Sequence, residues 1–233
     1  MLLGGPEDTD LLWLAAALQR IGEQAEVVLP EELVGQSKLT YRIDRAAVSS
    51  TLRLRERPAI DEAGPSLVIN RLTEIPVRPT ASAIDTAYLG EEWRAALVAW
   101  LRTLRCPVLN PPRAASLSGP AISMPAWRAL ARAHGLSCRP WTSDDAAVAN
   151  DPIDLIVVVD RCLSAGRAIP ETVRAGLCRM AQFVGAPLLG VRLDRADDEW
   201  QFIDATAFPP LAQGGQALVA AVVQLRKDRQ KTA

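Results

Sequence analysis

The stretch from Leu188 to Leu211, LLGVRLDRADDEWQFIDATAFPPL, does most to limit what this chain can fold into. An apolar run (Leu188 to Val191), a polar turn (Arg195 to Glu199) and a second apolar run (Trp200 to Ile203) predict a β-hairpin whose second strand ends on the carboxylate of Asp204. A hairpin this apolar needs a sheet beside it and helices over it. DLIVVVDR, around residues 154 to 160, reads as a buried strand, and residues 170 to 184 and 214 to 226 read as helices.

The remaining composition narrows the class. With 233 residues, 49% of them hydrophobic, the chain can bury roughly 70–75% of its unfolded surface, enough for one or two cores. No segment approaches the roughly 20 apolar residues of a membrane span. The opening MLLGG lacks the basic segment and cleavage site of a secretory signal, so a cytoplasmic location and no membrane partner are expected. A net charge of −1, from 26 basic and 27 acidic residues, makes no electrostatic case for nucleic acid. Lysine occurs only at Lys38, Lys227 and Lys231, which excludes any mechanism needing a lysine in the body of the chain.

From the amino terminus, Leu2 and Leu3 predict a buried strand leaving through Gly4, Gly5 and Pro6. Asp8 or Thr9 caps a helix ending at Gly22, and Glu26 to Leu29 forms a second strand. This βαβ opening has neither GxGxxG nor GxxxxGK[ST]. Glu7, Asp8 and Asp10 would repel a phosphate, so the turn reads as structural. Residues 39 to 57 alternate as one or two strands with an exposed face, and SLVIN (66 to 70) is a short buried strand. A loop (71 to 82) precedes a helix over 86 to 105, whose Tyr88, Trp93 and Trp100 read as core. Pro107 to Asn110 reads as a turn and 124 to 134 as a helix closing at His134, the one histidine. Cys106, Cys138, Cys162 and Cys178 form no CxxC pair and read as reduced thiols.

VINRL (68 to 72), YLGEEWRAALVAWLRTLRCPVLNPP (88 to 112) and MPAWRALARAHGL (124 to 136), taken in order with the hairpin and its closing helix, resemble the ATP-grasp ligases. The nearest likeness is to the glutathione-synthetase-like and RimK-like branch that includes peptide-modifying ligases. Such ligases use ATP to turn a carboxylate into an acyl phosphate, with magnesium and lysines offsetting the developing charge. The resemblance puts a metal ligand in the first hairpin strand and two more in the second. These positions are Arg192, Asp204 and Thr206 here, and only Asp204 is a strong ligand for a hard metal. Asp194 would supply the first ligand if the strand were shifted by two residues. The competing reading is a solvated hairpin in which Arg192 neutralises Asp204. The resemblance also implies a nucleotide-binding subdomain between Leu136 and Leu188, and that span is too short to hold most of it.

The expected fold is α/β: a pre-ATP-grasp-like domain (1–136), a linker (137–153) and a reduced ATP-grasp-like sheet (154–233) lacking most of the nucleotide-binding subdomain. The expected function is that of a catalytically degenerate binding, scaffold or regulatory partner without a cofactor, in peptide or natural-product modification. A homodimer, or a complex with another protein such as a full-length ligase, would cover the exposed faces. One alternative is an ATP-dependent carboxylate–amine ligase whose nucleotide site is supplied by a partner chain, with Asp194 and Asp204 holding magnesium and Arg192 contacting phosphate. Another is a small-molecule-binding α/β protein.

Overall fold

The computed structural model describes residues 1–45, 48–113, 115–138, 152–164, 166–196 and 199–230, so most of the expected linker and the tip of the 188–211 hairpin lie outside the described residues. The chain divides into two compact units, Met1–Ser118 with Val222–Ala233, and Gly119–Ala221. Helix α4 (Met124–Ala133) therefore groups with the second unit, although the sequence places it before a boundary at 136.

In the first unit β1 (Leu2–Gly4), α1 (Thr9–Arg20) and β2 (Val27–Val28) form the expected βαβ opening. Asp8 caps α1 by accepting from the Leu11 N–H at 3.0 Å, and Gly22 leaves the helix at φ 78°. Asp8 also receives Arg71 Nε at 2.6 Å and Nη2 at 3.1 Å, with both side chains buried. The acidic turn thus carries the counter-ion of a buried arginine. Helix α2 (Pro30–Gly35) follows, its first turn closed by Leu29 N–H donating to Glu32 at 2.9 Å. At six residues it is too short to show helical periodicity in the sequence.

Strands β3 (Ser37–Ile43), β4 (Val48–Leu54) and β5 (Ile60–Asp61) make an antiparallel sheet in that order. A parallel sheet runs β2, β1, β6 (Val68–Arg71) and β7 (Val108–Leu109), the last where the sequence suggests only a turn. Helix α3 (Ala83–Thr103) starts at Ser82, whose hydroxyl accepts from the Asp85 N–H. It buries Leu97, Trp100 and Leu101 with Leu3, Leu52 and Val68. The buried stripe is confined to its carboxyl-terminal third. Tyr88, expected in the core, is 66% exposed.

The second unit is a five-stranded sheet ordered β10 (Arg161–Ser164), β9 (Ile153–Val158), β11 (Leu188–Ala196), β12 (Glu199–Thr206) and β8 (Ser137–Cys138). The hairpin is β11 and β12, and β10 pairs antiparallel with β9 at the sheet edge. Leu155, Val157, Leu189, Val191, Leu193 and Phe202 join Trp127 and Ala131 of α4 and Leu177 and Met180 of α5 (Glu171–Val184) in one core. Gly176 permits this packing: a Cβ there would lie 2.8 Å from Leu136 Cδ2 and 3.1 Å from the His134 carbonyl oxygen. His134 ends α4 and its ring meets Phe183 at 5.3 Å, which bears out its reading as a terminal helix residue.

A 3₁₀ turn (Leu211–Gly214) leads into α6 (Gly215–Gln230). Its Gly214 sits against the opposite sheet face, where a Cβ would approach Ile156 Cδ1 to 3.1 Å. Among the described residues no helix is long and apolar enough to cross a membrane.

Candidate functional site

Arg192 of β11 is in register with Asp204 of β12 on one side and Asp154 of β9 on the other, and Gly190 is in register with Thr206. Residues paired across strands share a face, so these side chains converge on one side of the sheet. They line a cavity of about 480 Å³, together with Met124 and Arg128 of α4, Phe208 and Gln213. Gly190 allows the segment after β12 to close one wall: a Cβ there would stand 2.9 Å from Pro209 Cβ and 3.1 Å from Thr206 Cγ2.

The charges in the cavity are arranged differently from either sequence reading. Arg192 is held by Asp154, with Nε donating to Oδ1 at 2.9 Å and Nη2 to Oδ2 at 3.2 Å, a two-pronged carboxylate grip. This hydrogen bond and the adjacent negative charge push the Arg192 pKa upward. Arg192 hydrogen-bonds Asp154, which β9 presents in register on the other side, while its charge still acts on Asp204 across the β11–β12 ladder. Gln213 Nε2 donates to the same Asp154 at 3.4 Å.

Asp204 is left as the carboxylate of the opposite wall. Its Oδ1 accepts from the Ala205 N–H at 2.8 Å. Half-burial drives its pKa above the ordinary aspartate value, partly offset by that N–H and by the charges of Arg192 and Arg128. Arg128 is itself buried on α4.

The ladder slips between Arg192 and Leu193. Arg192 faces Asp204 but Leu193 faces Phe202, which leaves Ile203 as the extra residue of a bulge. Asp194 lies beyond the slip, opposite Gln201, fully buried, with its Oδ1 accepting from the Arg195 N–H at 2.9 Å. It is not among the cavity-lining residues, so the two-residue shift that would bring it there is absent. Of the three positions that the resemblance gives to metal ligands, the first is a guanidinium, the second a carboxylate and the third the hydroxyl of Thr206.

Asp154 and Arg128 are the cavity's unforeseen charged residues. Asp154 is the second residue of a strand that the sequence shows as buried, and Arg128 lies on α4 among apolar residues that carry the stronger sequence signal. None of the four cysteines is in a disulfide. Burial raises the Cys162 pKa to about 12, which leaves it a poor nucleophile at neutral pH.

No family model matches the chain, and no curated protein matches it in sequence. Solved structures do. The macrocyclase MdnC from Microcystis aeruginosa MRC, bound with precursor peptide MdnA, superposes with a TM-score of 0.69 at 10% identity, over 95% of this chain and 98% of that one. The ATP-grasp ligase PsnB, complexed with minimal precursor, Mg and ADP, gives 0.67 at 15% identity over 97% and 96%. A Chryseobacterium gregarium RiPP-associated ATP-grasp ligase, in complex with ADP and a leader and core peptide, gives 0.67 at 10% identity over 97% and 96%. At such identities the likeness concerns architecture and leaves the chemistry to the residues of the site. The chain has the mixed α/β fold of the ATP-grasp ligases.

Proposed function

We propose that this chain is a reduced, catalytically degenerate ATP-grasp-fold protein that acts as a binding or scaffold partner in peptide modification. The observation that carries this reading is the Arg192–Asp154 pair. Phosphoryl transfer in this architecture needs divalent cations and lysines beside the transferring group. Here a fixed guanidinium stands at the first ligand position and consumes one of the two nearby carboxylates, leaving Asp204 and Thr206 as oxygen donors. That set makes a poor magnesium site, because the adjacent guanidinium repels the metal and a single carboxylate is the fewest that magnesium sites use beside water and phosphate oxygens. The absence of lysine between residues 39 and 226 supports the same conclusion for the phosphates.

A peptide is the favoured class of partner, because the ligases that share this fold were crystallised with precursor peptides. Self-association or assembly with a complete ligase is the second part of the proposal. The test is light scattering on the purified protein and on its mixture with a complete ligase, with ADP release measured in magnesium–ATP. The reading expects a complex or homodimer that forms without nucleotide and releases no ADP of its own. Peptide-dependent ADP release that is lost in Asp204→Asn would overturn it in favour of a working ligase.

A further inference from the structure

The β3–β4–β5 sheet presents a charge pattern that the cavity does not use. Lys38 and Arg53 are cross-strand partners in register, and Arg42 lies further along β3 opposite Ser49. All three are exposed, and among the described residues none of their side chains makes an ion pair or a hydrogen bond. Like charges placed directly opposite each other destabilise a sheet. The acid on this face, Asp61 of β5, turns its carboxylate to the Ala63 N–H at 3.0 Å.

The other face is fixed. Leu52 and Leu54 are buried, and Tyr41 donates its hydroxyl to the Ala96 carbonyl of α3, so the strands cannot slip and bury the cations. β3 is also the outer strand of its sheet: its seven residues pair with β4 on one side and, among the described residues, with no strand on the other.

We propose that the open edge of β3, flanked by Lys38, Arg42 and Arg53, binds an acidic peptide segment in extended conformation by strand addition. The proposal rests on the peptide-partner reading above and gives it a location and a chemistry. An unpaired edge offers alternating N–H and C=O groups to another backbone, and outward side chains select which backbone is accepted. Here they select glutamate and aspartate. The same cations oppose pairing with the β3 of a second copy, which would bring Lys38 and Arg42 against their own kind. A nucleic acid has no backbone donors to match the edge, and three cations on a chain of net charge −1 make a weak phosphate track.

The test is fluorescence anisotropy with a labelled peptide of alternating glutamate and valine, matched to the seven residues of β3. Its controls are the lysine–valine counterpart, the same acidic peptide N-methylated at alternate residues, and a single-stranded oligodeoxynucleotide of equal charge. The acidic peptide is expected to bind saturably and the three controls to fail. Lys38→Glu is expected to weaken binding roughly tenfold or more. Because it turns a like-charge pair into an opposite one, it should melt no lower than the parent, which separates lost binding from lost folding. Undiminished binding by Lys38→Glu, by the N-methylated peptide or by the oligonucleotide overturns the proposal, as does no binding at all. None of these results bears on ADP release, by which the degenerate-ligase reading stands or falls separately.

Discussion

The Arg192 guanidinium grips the Asp154 carboxylate through two hydrogen bonds, 2.9 and 3.2 Å long, across adjacent strands β11 and β9. Both groups are partly exposed, so the pair stabilises the fold by less than about 1 kcal/mol. Its larger consequence is for the cavity, where it sets a permanent positive charge opposite Asp204.

Arg192→Asp reverses that arrangement by placing a third carboxylate between Asp154 and Asp204. In chelator the variant should be destabilised by about 1 kcal/mol, a fall of roughly 2–4 °C in Tm for a chain of this length. Millimolar magnesium should restore the loss in the variant and leave the parent's Tm unchanged. Thermal unfolding with and without magnesium checks this, and an equal response of both proteins would contradict it.

The raised pKa of Asp204 makes a signed prediction about pH. Folding favours its protonated form, so its contribution to stability is fully present below the ordinary aspartate value and is lost as pH rises through the folded value. At pH 7 the ionised carboxylate is a cost. Asp204→Asn should therefore be more stable than the parent at pH 7, with the difference shrinking as pH falls through the raised folded value and gone below the ordinary aspartate value. Urea unfolding across that range measures it, and a less stable variant at pH 7 would show that the carboxylate is held by favourable contacts.

Gly190 is required by a close approach. Alanine there would drive its Cβ against Pro209 and Thr206, at 2.9 and 3.1 Å. Gly190→Ala should cost about 1–3 kcal/mol and displace the segment that closes the cavity wall. Urea unfolding gives the energy, and backbone amide shifts at Thr206 and Phe208 give the displacement.

In the first unit, Arg71→Met removes the cation that neutralises Asp8, whose side chain is 8% exposed. An isolated buried carboxylate costs about 3–5 kcal/mol. Adding Asp8→Asn to Arg71→Met should recover part of that loss, since the amide keeps an oxygen for the Leu11 N–H and carries no charge. A double variant no more stable than the single one would assign the loss to packing around Arg71.

The elements legible in the sequence are those with a strong local signature. The βαβ opening, helix α5 and the β11–β12 hairpin all follow from periodicity and turn or capping residues. The two-residue strands β7 and β8, the six-residue α2 and the strand β10 are too short to be read that way. At the site, Arg192, Asp204 and Thr206 could be placed together because one hairpin carries all three. The partnership of Arg192 with Asp154 joins residues far apart in the chain and depends on which strand lies beside β11. The bulge at Ile203, which carries the ladder past Asp194 without bringing it to the cavity, follows from packing that no local pattern reports.

Calorimetric titration of the parent with magnesium–ATP, beside the same titration of Arg192→Asp, tests the degenerate-site account most directly. The parent should give no saturable heat. Saturable, magnesium-dependent binding by the parent that is weakened in Asp204→Asn would contradict it and show that Arg192 and Asp204 still serve a nucleotide.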